Sequence, residues 1–132
     1  MNLATDYEVT IYAMASMALL MLMQILIADV VGILAKNTPG TPVKADHDNF
    51  LFRVTRTVAN TNETIAIFVL ATAFCILGSA SPTYTGYAAC AFVLARGVYA
   101  GFYYSNLRVL RSATFAISLV ALGALLLVGF LA

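Results

Sequence analysis

Charge is what this 132-residue chain has least of: 10% of it is charged and 62% hydrophobic, where a soluble domain carries about 25% charged residues. That scarcity excludes an ordinary water-soluble domain and implies an integral membrane protein. A net charge of +1, with no cluster of Lys or Arg, excludes a nucleic-acid-binding surface. Cysteine is sparse as well. Cys75 and Cys90 each stand inside an apolar run, so neither a disulfide framework nor a metal site is suggested, and both read as small packing residues. No Ser/His/Asp or Cys/His arrangement stands out for nucleophilic catalysis. The N-terminus carries Asp6 and Glu8 where a secretory signal would carry Lys or Arg, so no cleaved leader is expected. Met14, Met17, Met21 and Met23 read as packing or lipid-facing surface, and the single His47, in a polar stretch, reads as solvated.

Long apolar runs are what the chain has. Four are long enough to span a hydrocarbon core, for which about 20 residues are needed: approximately 9–34, 52–78, 83–104 and 110–131. The connection between the first two holds Lys36, Asn37, Pro39, Gly40, Pro42, Lys44, Asp46, His47 and Asp48, a composition that favours turns and solvated loop. The second, Ser79-Ala80-Ser81-Pro82, is a tight turn with Pro82 suited to the first turn of the next helix, and the third is also short. Short connections make neighbours antiparallel. The expected fold is an all-α, four-helix up-down bundle forming one domain over 1–132. All seven Lys and Arg residues fall at or toward the first and third connections, so the positive-inside rule makes that side cytoplasmic and puts both termini on the other side. Tyr7, Tyr12, Tyr84 and Tyr87 then suit the far interface or the core.

Two of these segments carry polar groups that lipid would not tolerate. Arg53, Arg56, Asn60 and Glu63 stand at i, i+3, i+7 and i+10, within one helical arc of roughly 80°. Arg96, Tyr99, Tyr103 and Asn106 repeat that spacing on the third segment. Ionisable groups at such depth face a bundle interior or a wet cavity. Glu63 and Arg96 lie deepest in their stripes, which makes them natural ion-pair partners. Arg56, Arg96, Arg108 and Arg111 outnumber the acidic groups of the membrane segments, Glu63 and Asp29, and that excess suggests an absent anion. A guanidinium fork suits a carboxylate, Asn60 and the tyrosine hydroxyls suit a peptide-like guest, and Glu63 suits an ammonium. The implied guest is zwitterionic. Asp29 could pair with an arginine or sit in water at the headgroups, and Gly97 and Gly101, spaced as GxxxG, could allow close helix approach.

The run RVTRTVANTNETIAIF, from Arg53 to Phe68, together with RGVYAGFYYSNLRVLRS, from Arg96 to Ser112, resembles the MAPEG family, the membrane-associated proteins in eicosanoid and glutathione metabolism. The likeness is to its bacterial-type members and to microsomal glutathione transferases. It rests on Arg-x3-Asn-x2-Glu in the second segment, and on Arg-x2-Tyr-x3-Tyr followed by Leu-Arg-Ser around the third and fourth.

The resemblance implies a homotrimer that binds glutathione near the cytoplasmic face between adjacent subunits. Arg56, Asn60, Glu63, Arg96, Tyr99 and Tyr103 would contact glutathione, and Arg111 would stabilise its thiolate. The expected activity is a glutathione-dependent transferase or peroxidase acting on a lipophilic electrophile that enters among the membrane lipids, in a bacterial inner membrane. The pattern departs at Val58 and Thr64, where some glutathione-using members have Gln and Tyr. Tyr103 and Arg111 are one residue closer than in the prostaglandin-synthase branch, so Arg108 competes with Arg111 for the catalytic role. Phe115 replaces that branch's tyrosine, which argues against an eicosanoid isomerase, and Ser112 could cap the last helix instead of joining the chemistry. A non-catalytic member that binds a lipid or serves as a scaffold in a membrane complex is the alternative. An anion pathway is the weakest reading, because the stripes lack a ring of one charge.

Overall fold

The computed structural model describes residues 2–132, among which the regular elements are all helices, with no strand. Five helices run along the chain: α1 (Leu3–Asp6), α2 (Glu8–Leu34), α3 (Phe50–Leu77), α4 (Pro82–Tyr104) and α5 (Arg108–Phe130). α1 is a single turn opened by the Asn2 side chain, and the other four lie within two residues of the expected bounds. Three of them, α2, α3 and α5, are long and apolar enough to cross a membrane. That set omits α4, whose Arg96, threonines and tyrosines dilute its apolar content.

Termini and connections explain these boundaries. Asn49 caps α3, its Oδ1 accepting from Leu51 N at 3.0 Å, and Pro82 opens α4 as expected. The ends of α2, α3 and α4 share one device. Lys36, Ser79 and Asn106 take φ of 55°, 55° and 58°, and the next residue's N–H reaches back five positions to Gly32, Cys75 and Phe102 at 3.0, 2.9 and 2.9 Å. This is the Schellman ending, usually built on glycine; here three side-chain-bearing residues adopt it. Asn106 is thereby removed from the stripe assigned to it, since it lies beyond the end of α4 and terminates the helix.

The antiparallel order rests on contacts at both ends. Tyr7 donates its hydroxyl to the Ala80 carbonyl, tying the N-terminus to the turn between α3 and α4. Arg53 Nε reaches the Tyr104 carbonyl at 3.3 Å, tying the start of α3 to the end of α4. α3 and α4 form the central pair, each packed against both α2 and α5. Phe68 and Phe92 stack between them with centroids 4.6 Å apart, against Met17, Ala89 and Leu125. Cys75, buried, donates Sγ–H to the Leu125 carbonyl, and both cysteines are free. Met17 is buried and Met23 exposed; Tyr7 is core, whereas Tyr12, Tyr84 and Tyr87 face outward.

Close approach matters most at Gly129, where an added Cβ would stand 2.6 Å from two ring carbons of Phe74. Gly129→Ala must displace that ring from its place beside Phe130. A loss of about 1–3 kcal/mol is expected, the usual range for overpacking, read as a lower melting temperature with unchanged helix content. Gly97 and Gly101 make no such contact within the protomer: a Cβ on either meets nothing within 4 Å.

Candidate functional site

The polar cluster lies where α3, α4 and the start of α5 meet the end of the first loop. Its centre is Arg96, fully buried. Arg96 Nη2 donates to Asn60 Oδ1 at 2.7 Å and to Thr61 Oγ1 at 3.1 Å. The guanidinium carbon sits 4.3 Å from the Tyr99 ring centroid and 5.8 Å from that of Phe115, so its positive charge rests on aromatic faces.

Glu63 does not pair with Arg96. Its Oε1 accepts from Arg56 Nη1 at 2.9 Å, the one ion pair among the described residues. Two helical turns separate Arg56 from Glu63, within reach of their long side chains along one face. Asn60 stands between Arg96 and Glu63 and links them: its Oδ1 accepts from Arg96 while its Nδ2 donates to Glu63 Oε2 at 3.4 Å. Arg96 therefore has only neutral hydrogen-bond partners, and its Nε and Nη1 are buried without one among the described residues.

A second arm runs toward the loop. Tyr99 and Tyr103 meet edge to face at 5.6 Å, and the Arg111 guanidinium lies 4.3 Å over the Tyr103 ring. Arg111 Nη1 is also buried without a partner among the described residues. The structure thus brings Arg56, Asn60, Glu63, Arg96, Tyr99, Tyr103 and Arg111 into one chain of contacts. Arg108 is exposed on the first turn of α5, and its guanidinium makes no hydrogen bond or ion pair among the described residues. Ser112 does not cap that helix. The N-cap is Leu107, with no side-chain bond, and Ser112 Oγ donates to the Arg108 carbonyl one turn back.

Three further residues belong to the surroundings of the site. Thr61 supplies a second oxygen to Arg96; it is one of the buried threonines, with Thr57 and Thr64, on the α3 face toward the interior. Arg53, from the first stripe, turns away: Nη1 donates to the His47 carbonyl at 2.7 Å and Nε to the Tyr104 carbonyl. It is a tether. His47 is not the solvated residue its polar neighbours suggest. Half-buried, it places Nε2 3.0 Å from Tyr103 Oη and its ring edge-on to Phe52 at 5.0 Å. Burial, then the Arg111 and Arg108 guanidinia, hold its imidazole below the ordinary 6.5, against a smaller opposite pull from Asp46.

Asp29 is exposed and pairs with no arginine. It lines a separate cavity of about 490 Å³ beneath the first loop with Gly32, Asn37, Thr41, Leu51 and Thr55. No residue of the polar cluster lines that space. No group of three or more His, Cys, Asp or Glu able to hold a metal occurs among the described residues.

Long apolar helices around a buried guanidinium, with two buried tyrosines beside it, define an integral membrane protein with a polar site inside its bundle. Residues 9–131 match the model of the MAPEG family, and the chain belongs to that family, which includes glutathione-dependent transferases and non-catalytic members. No curated protein matches the chain.

Proposed function

We propose that this protein binds glutathione at the Arg96 cluster and uses it as a membrane-bound transferase or peroxidase toward lipophilic electrophiles. The observation that carries this reading is the state of Arg96. A fully buried guanidinium has only Asn60 and Thr61 for partners and two nitrogens unused. Taking such a charge out of water costs several kcal/mol unless an anion offsets it.

Glutathione suits the donor set. It brings two carboxylates, an ammonium and a thiol. Arg96 and Arg56 supply forks for carboxylates, Glu63 an acceptor for an ammonium, and Tyr99 and Tyr103 hydroxyls for the peptide groups. Bound glutathione supplies a nucleophilic sulfur. Arg111 is the residue for the thiolate, since it packs on Tyr103 with a free nitrogen while Arg108 faces outward. A nearby guanidinium raises the ionised fraction of a thiol whose ordinary pKa is about 8.5.

The same reading makes all four long helices membrane spans, with the first loop and the polar cluster on the cytoplasmic side and both termini opposite. It also makes the protein a homotrimer. Glu63, with 54% of its side chain exposed, lies roughly 20 Å along α3 from its start. In a hydrocarbon layer about 30 Å thick, that carboxylate would face lipid unless another copy of the chain covered it. Three copies follow from the family resemblance.

A second reading, a non-catalytic member that binds lipid or a partner protein, is favoured by Thr64. Its side chain is buried and bonds back to the Thr61 carbonyl at 3.2 Å, so that position adds nothing to the site. Calorimetric titration of the purified protein in nanodiscs separates the two. Glutathione is expected to bind at millimolar concentration or tighter, with conjugation of a lipophilic electrophile or reduction of a lipid hydroperoxide. Absence of binding would sink the first reading, and binding without turnover would favour the second.

A further inference from the structure

The end of the first loop is built onto the polar cluster. Asp48 N–H closes a turn on Asp46 Oδ1 at 3.0 Å, and Asn49 N–H bonds the Asp46 carbonyl at 3.1 Å. Arg53 then holds the His47 carbonyl and the Tyr104 carbonyl together, its guanidinium 5.3 Å from the Phe50 ring, which itself meets Tyr104 edge-on. Both the backbone and the ring of His47 are therefore fixed. The ring is nearly parallel to Tyr103, with an interplanar angle of 24° and centroids 5.8 Å apart.

We propose that His47 is a positioning residue for the site: neutral His47 accepts a hydrogen bond from the Tyr103 hydroxyl at Nε2, fixing Tyr103 Oη toward the guest, and protonation of His47 undoes that arrangement. An imidazole with a free Nε2 lone pair accepts. Once protonated it can only donate, so the Tyr103 hydroxyl must turn its own hydrogen elsewhere. The charged groups around the ring oppose that protonation. Arg111 and Arg108 from α5 and Arg53 from α3 disfavour a further cation, Asp46 in the loop favours it, and Tyr103 from α4 meets the ring with its hydroxyl. The sign follows. Because the folded pKa lies below 6.5, the docked loop is at full strength above that value and weakens as pH falls through the folded pKa.

This inference rests on the glutathione reading for its ligand, but His47 is the one histidine in the chain, so its ring can be followed without any ligand. Nuclear magnetic resonance of the labelled ring in nanodiscs is expected to show the Nδ1–H tautomer and a midpoint below 6.5 that rises in Tyr103→Phe. A solvated-type midpoint, or one unmoved in Tyr103→Phe, overturns the proposal. The binding arm uses S-hexylglutathione, whose blocked sulfur does not titrate. Losing one hydrogen bond, His47→Ala should weaken binding about five-fold at pH 7.5, and His47→Gln, which keeps an acceptor, should stay within about two-fold. Wild-type affinity should fall as pH is lowered through the midpoint read from the ring itself, while that of His47→Gln stays level; parallel profiles across that midpoint would refute the assignment. If the wild type binds no S-hexylglutathione at any pH, the glutathione reading fails, and the ring titration alone decides the His47 to Tyr103 coupling.

Discussion

Arg96→Met is expected to abolish most glutathione binding without lowering the stability of the ligand-free protein. Hydrogen bonds to a charged group contribute about 1.5–3 kcal/mol each, so losing this anchor should weaken binding between about ten-fold and a hundred-fold or more. The fold should respond otherwise. Arg96 is buried against Tyr99 and Phe115 with no carboxylate at ion-pair distance, and apolar side chains replace buried charges at little cost or with a gain. The substitution leaves Asn60 Oδ1 without its donor, which works against that gain, yet Asn60 keeps its bond to Glu63. Two measurements are needed together: the melting temperature with and without glutathione, and the dissociation constant. Loss of the ligand-induced thermal shift on an unchanged ligand-free baseline is the expected result. A collapse of the baseline would make Arg96 a residue of the fold instead.

Arg111→Ala should lower the rate of conjugation by on the order of a hundred-fold or more, the scale found when one stabilising donor is removed from a developing charge. Affinity for S-hexylglutathione should change far less, since its sulfur carries no charge to stabilise. Arg108→Ala should alter both by less than about three-fold, as expected of an exposed charge in high dielectric. Ultraviolet absorbance of the bound thiolate gives an independent reading: it should vanish in Arg111→Ala and persist in Arg108→Ala. The reverse pattern would transfer the role to Arg108, where the shortened spacing from Tyr103 leaves room for it in sequence terms.

How much of this was legible beforehand differs from residue to residue. The long helices follow from hydropathy, because a chain this poor in charge has few ways to satisfy its backbone in lipid other than helix. Arg56, Asn60 and Glu63 share a face by periodicity alone, and the structure brings them into contact. Periodicity fails at the partner level. It ranks Glu63 against Arg96 by depth, whereas the structure shows Asn60 interposed and Glu63 held by Arg56, a choice made by side-chain length and rotamer. It fails again at Asn106, since nothing in hydropathy distinguishes the last residue of a stripe from the first residue past the helix. His47 was misread for a related reason. Asp46 and Asp48 flank it, and the contacts that fold it back onto Tyr103, among them the Arg53 bond to its carbonyl across six residues, leave no mark in the local composition.

The Asn60 amide has a front and a back, and both are committed. A guanidinium faces its oxygen and a carboxylate faces its nitrogen, so it can be read in only one direction, and turning it over would set like against like at both ends. The cluster therefore has a sense, running from Arg96 through Asn60 to Glu63 and on to Arg56. On the glutathione reading, an ammonium that drew the Glu63 carboxylate away would leave the Asn60 Nδ2 without its acceptor as well as Arg56 without its partner.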